Sequence, residues 1–152
     1  MQILDLPRLG KQRSEVKIML AALTGVRFKV SKGENALVLP EKRGYMNHSA
    51  TRMWRGHELE LARFGEINCV VWAQRLGHPL ERGAIGYETY LDMIAWQVWL
   101  QDNGADDGMP PWWGRADVHA SHRQVLLSKD FNYYSQFGWA EEPRYEYDWP
   151  VP

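Results

Sequence analysis

Apolar residues recur at three- and four-residue spacing in four stretches of the chain, and each stretch predicts a helix. In the first, from Arg8 to about Leu23, Leu9, Val16, Met19, Leu20 and Leu23 form the stripe and Thr24-Gly25 stops it. Ser49 is suited to N-cap a single long helix from Ala50 to about Leu76, with Trp54, His57, Leu61, Phe64, Asn68, Val71, Trp72 and Arg75 along one side. Gly77, His78 and Pro79 end it. The third runs from Tyr87 to about Gln101, turning Tyr90, Leu91, Ile94, Val98 and Trp99 inward, and the fourth starts near Asp117 with "VHASHRQVLLSKD". Between helices one and two, two short β-prone runs flank Lys32-Gly33-Glu34-Asn35, which fits a small β-hairpin or an ordered loop equally well. "NGADDGMPPWWG" reads as loop, and a Pro- and acid-rich tail ends the chain. The expected fold is all-α: one domain over residues 1–152, a bundle of about four helices with room for that hairpin.

Polar residues interrupt these stripes. At 100° per residue, Gln12 and Arg13 fall between Leu9 and Val16 in the apolar arc of helix one, with Glu15 at its edge. His57 and Asn68 sit mid-stripe in the long helix, and His122 falls between Val118 and Val125. A buried polar group without a partner costs a few kcal/mol, roughly, so these residues must either be satisfied singly or line a shared cleft. A cleft of Gln12, Arg13, Glu15, His57 and His122 is one expectation. The other is that Gln12 and Arg13 clamp the Trp-rich segments "PPWWG" or "FGW".

Composition and charge narrow the chemistry. Eight Trp and seven Tyr against four Phe favour rings with a polar edge, which suit half-wet surfaces. With Cys69 as the one cysteine there is no internal disulfide, and no run of 18 apolar residues appears, so a cytoplasmic setting without membrane insertion is expected. A net charge of −1 argues against a general DNA-coating protein. That average conceals a split: through Leu76 there are 13 Lys and Arg against 7 acids, and from Gly77 onward 5 against 12. The first half is the one that can face phosphates. There Arg8, Lys11, Arg13 and Lys17 crowd helix one, while Arg52, Arg55 and Arg63 follow the long helix near His48 and Trp54, giving either solvated faces or a phosphate-tracking surface with interleaved rings. His119 and His122, spaced i,i+3, lack third and fourth ligands at matching spacing, so no metal is expected. Glycine-rich phosphate loops and a nucleophile elbow are absent, and no cofactor is implied.

At "LDLPRLGKQRSE", "NHSATRMWRG" and "PPWWGRADVHASHRQVLLSKDFNYYSQFGW" the chain resembles a bacterial and phage family related to the pyrimidine-dimer DNA glycosylases of the endonuclease V type. The resemblance implies a mainly helical fold with a DNA-gripping basic face and an active glutamate on the first helix, which by position is Glu15. In those enzymes the N-terminal α-amine attacks C1′ of the damaged nucleotide and the glutamate assists base release and β-elimination; Met1 would supply that amine. Arg8, Lys11, Arg13, His48, Arg52, Arg55, His119 and Arg123 are then the expected nucleic-acid contacts, with Arg13, Arg52 and Arg55 on phosphates; Trp54 is a stacking or structural ring, and His122, in the matching C-terminal block with His119 and Arg123, is a further catalytic candidate. The chain departs from the glycosylases at Gln2, whose bulk leaves Met1 in place where they expose a small residue. Two other functions compete: a nucleic-acid-binding or host-interaction module that kept the fold and lost the chemistry, and a phosphodiesterase using His119 and His122. DNA is the expected partner, and the sequence carries no signal of oligomeric state.

Overall fold

The computed structural model describes residues 3–106 and 108–150. They contain six helices rather than four, and one small sheet. By contacts they fall into two units, residues 1–109 and 110–152.

In the first unit, α1 spans Leu6–Thr24. Asp5 caps it, its Oδ1 accepting the Arg8 N–H at 2.9 Å, and Pro7 occupies the first turn, where a missing N–H costs nothing. Gly25, left-handed at φ 73°, closes it. The hairpin alternative then holds: β1 (Val26–Lys29) pairs antiparallel with β2 (Glu34–Val38) across a 3-10 turn at Val30–Lys32. Val26 faces Val38, Arg27 faces Leu37 and Lys29 faces Glu34, with a register irregularity between Arg27 and Lys29.

The expected single helix over 50–76 is two helices, α2 (Ser49–Met53) and α3 (Glu58–Leu76). Gly56 breaks it by adopting φ 84°, a left-handed conformation that glycine reaches without steric cost. The Glu58 carboxylate then accepts the Gly56 N–H at 2.8 Å, and His57 becomes the residue before α3 instead of a member of its stripe. Helix α4 spans Tyr87–Asp102.

The core lies where α1, α3 and α4 meet. Leu9, Val16, Leu20, Leu61, Met93 and Trp96 are all fully buried there. Gly65 of α3 makes this close approach feasible, because a Cβ at that position would sit 2.5 Å from Met93 Sδ and 2.7 Å from Val16 Cγ1. The hairpin joins through Phe28, edge-on to Trp96 at 5.4 Å, and through Asp92. That buried carboxylate holds the Lys17 ammonium at 2.6 Å and accepts the Val30 N–H at 3.0 Å, so one side chain ties α1, α4 and the 3-10 turn. Removing one partner of such a pair typically costs about 3–5 kcal/mol.

The second unit contains α5 (Ala116–Lys129) and a short α6 (Phe131–Tyr134), which Asp130 initiates by accepting the Tyr133 N–H at 3.1 Å. Its tail returns along α5. Arg144 N–H donates to Gln124 O at 3.1 Å, Asp148 N–H donates to Ser121 Oγ at 2.6 Å, and Arg123 pairs with Glu141. Among the described residues no helix is long and apolar enough to cross a membrane.

Candidate functional site

Helix α1 presents two different sides. Gln12 and Arg13 face α3: the Asn68 amide donates to Gln12 Oε1 at 2.6 Å, and the Arg13 guanidinium lies 3.8 Å from the centre of the Trp72 ring and bonds to Cys69. Gln12 and Arg13 thus clamp onto α3 instead of sharing a cleft with Glu15. Burial lowers the Arg13 pKa, and it pushes the Cys69 thiol up to about 11, so that thiol is not a nucleophile. Glu15, about 200° around the helix from Arg13, keeps a side chain 38% exposed and meets the Lys11 ammonium at 3.5 Å.

Beside Glu15 runs the segment from residue 39 to 48. Arg43 fastens it to the end of α1 by donating from Nε to Ala22 O at 3.0 Å, which also places a cation at a helix C-terminus. Tyr45 follows with φ 71°, the one non-glycine positive φ among the described residues. A left-handed tyrosine costs about 1–2 kcal/mol and persists only where its surroundings over-determine it. Its ring stacks on His48 at 4.3 Å with 6° between planes. His48 in turn caps α2, Nδ1 accepting the Ala50 N–H at 3.1 Å, so a neutral His48 carries its proton on Nε2. Burial first, and then the charge of Glu15, raise the Tyr45 pKa, which keeps the phenol protonated and marks the two side chains as neighbours.

Tyr45 lines a cleft of about 740 Å³ whose floor is apolar, with Ile18, Ala21, Phe28, Leu39 and Trp96. Its walls carry Lys17, Arg27, Lys29, Lys42 and Arg43 and, among the described residues, no carboxylate. Lys17 is held by Asp92 and Lys29 lies 3.7 Å from Glu34, whereas Arg27 and Lys42 make no ion pair among the described residues. Such a cleft suits an anion with a flat apolar body. A second cleft, about 810 Å³, opens on the other side of α1 between Arg13, Arg82 and the backbone leading into α4.

The remaining sequence candidates have partners within their own units. Arg8 binds Asp5 at the start of α1. Arg52 is half-buried on α2, and Arg55 is exposed, reaching Met46 O at 3.5 Å. Trp54 is 6% exposed and packs on Phe64 at 5.7 Å. His57 donates from Nδ1 to Gly108 O at 2.9 Å. In the second unit, His119 Nε2 accepts the Gly114 N–H at 3.2 Å, while His122 Nδ1 donates to Val118 O at 2.8 Å and packs on Tyr147 and Trp149. The two imidazoles thus have separate partners, burial lowers the His122 pKa, and the Arg123 charge is matched by Glu141. Among the described residues no three His, Cys, Asp or Glu gather as a metal site. Met1 lies outside the described residues.

Sequence reasoning missed Tyr45, Arg27, Lys29, Lys42 and Arg43 as a group. Their signal was present in "RFK" and "EKRGY", two basic-aromatic runs in the stretch left as hairpin or loop. A family model described as pyrimidine dimer DNA glycosylase matches residues 1–81, the stretch that holds Glu15, Tyr45 and all five cleft cations. No curated protein and no solved structure matches the chain.

Proposed function

Because the chain belongs to the pyrimidine dimer DNA glycosylase family, we propose that it is a glycosylase and abasic-site lyase acting on a damaged or modified base in DNA. The observation that carries this reading is Glu15 standing half-exposed on α1 beside a cleft walled by five cations. The cations take the phosphates on either side of the nucleotide, and the apolar floor takes its ring. Lys11, 3.5 Å from Glu15, and the exposed His48 and Arg55 extend the phosphate contacts beyond the cleft.

In this mechanism the nucleophile is the α-amine of Met1, since α-amines ordinarily have a pKa near 8 and so present a neutral fraction at working pH. Its lone pair forms a bond to C1′ as the C1′–N glycosidic bond breaks and the base leaves with the bonding pair. Glu15 stabilises the cationic sugar electrostatically. The attached nitrogen then loses a proton and the C1′–O4′ bond breaks, so that C1′=N forms as a protonated imine and O4′ leaves as the C4′ hydroxyl. The Glu15 carboxylate accepts the C2′ proton when this imine undergoes β-elimination, which expels the 3′ phosphate. No cofactor enters these steps. General-base assistance of this kind is worth about 10² to 10⁴ in rate.

Borohydride trapping on a duplex with an abasic site tests the reading. A covalent adduct is expected, lost when the N-terminus is blocked and reduced at least 100-fold in formation rate by Glu15→Gln. Absence of adduct and of strand cleavage, with DNA binding retained, would leave the non-catalytic binding module. Cleavage that survives Glu15→Gln but not His119→Ala with His122→Ala would favour the phosphodiesterase.

A further inference from the structure

Tyr45 is absent from the chemistry just described, yet its backbone is held where a tyrosine is disfavoured, φ 71°, at the wall of the basic cleft. A strained residue that fills a core would be explained by packing. Tyr45 is only half-buried, and its ring lies parallel to an exposed imidazole, 4.3 Å and 6° from His48. The strain therefore sets the direction of a flat ring next to Glu15, with Lys42 and Arg43 three and two residues upstream in the same cleft.

We propose that Tyr45, backed by His48, is a stacking platform for an unpaired nucleobase at the cleft beside Glu15. Every nucleobase offers a π face, so the platform selects an unpaired base over a paired one without reading its identity. Lys42 and Arg43 supply the cationic wall for the phosphate of the same nucleotide. The left-handed backbone and the His48 ring underneath fix the orientation of the platform before DNA arrives, which removes an ordering cost from binding. This inference rests on the DNA-directed reading above.

The test compares two duplexes of one sequence, one fully paired and one with a tetrahydrofuran abasic analogue that leaves the opposite base unpaired. Binding is followed by fluorescence anisotropy and folding by thermal melting. The wild type should prefer the duplex with the unpaired base. Tyr45→Phe should keep that preference within about twofold, and Tyr45→Asn, which tolerates a left-handed backbone but has no ring, should lower it about tenfold while affinity for the paired duplex holds. If Tyr45→Asn does not fold, Tyr45→Gly serves, since glycine adopts the left-handed backbone without steric cost and has no ring. Preference retained without the ring, or lost equally in Tyr45→Phe, would overturn the platform. A wild type that forms the borohydride adduct but binds both duplexes equally overturns the platform alone, whereas one that binds neither duplex overturns the DNA reading as well.

Discussion

Asn68 and Gln12 meet side chain to side chain across the junction of α3 and α1, Nδ2 to Oε1 at 2.6 Å, with Asn68 fully buried. This pair explains why two helices each carry an amide where an apolar residue is expected. The Asn68 amide N–H finds its acceptor in Gln12 Oε1, while Asn68 Oδ1 is buried with no hydrogen-bond partner among the described residues. Truncating one member strands the other. Gln12→Ala should therefore destabilise the protein by about 1–3 kcal/mol in urea unfolding, the range for an orphaned buried polar group. Replacing both, Gln12→Leu with Asn68→Leu, should cost clearly less than the sum of the single changes, and additive costs would show that the amides are not coupled.

Arg13 and the cleft cations should separate in their response to salt. Arg27 and Lys42 make no ion pair among the described residues and line the cleft, so Arg27→Gln and Lys42→Gln should each reduce the slope of log K against log salt by about 1. Arg13 lies on Trp72, and Arg13→Gln should leave the slope unchanged while lowering stability by up to about 2 kcal/mol, the worth of a desolvated cation–π contact. Titrations of one duplex at several salt concentrations, paired with melting curves, distinguish the two behaviours.

His122 gives a pH dependence with a defined sign. Burial lowers its pKa below the ordinary 6.5, so the unfolded chain binds the proton more readily than the folded one. Its contribution to stability is complete above about pH 6.5 and is lost as the pH falls through the folded value. His122→Phe should remove that part of the loss. The difference between the wild-type and variant melting temperatures should shift in favour of the variant between pH 7 and pH 5; a constant difference would mean that His122 titrates alike in both states.

Helix α1 was legible because periodicity and stop signals agreed; α4 was legible in its extent but not in its face, since Met93, Trp96 and Leu100 are its buried apolar residues while Val98, expected inward, is exposed, and the hairpin was one of two open readings. The break between α2 and α3 was not legible, because Trp54 and His57 continue the stripe of Leu61 and Phe64 across it. Gly56 inside such a pattern costs a helix only about 1 kcal/mol, and the pattern alone does not reveal its left-handed turn or the Glu58 carboxylate that receives its N–H. The candidate site was half legible. The oddity of Gln12 and Arg13 was real, but its partners, Asn68, Cys69 and Trp72, lie more than 50 positions away in the chain. Tyr45 left no periodic trace, since its role depends on a backbone angle and on the fastening of its loop by Arg43 to Ala22.

Asp92 holds the Lys17 ammonium with one oxygen and the Val30 amide with the other, and Lys17 also forms part of the basic wall. A phosphate entering the cleft must therefore compete with Asp92 for that ammonium. Whatever ligand draws Lys17 outward loosens the anchorage of the hairpin, so occupancy of the cleft and the local opening of the 3-10 turn are thermodynamically coupled through a single carboxylate.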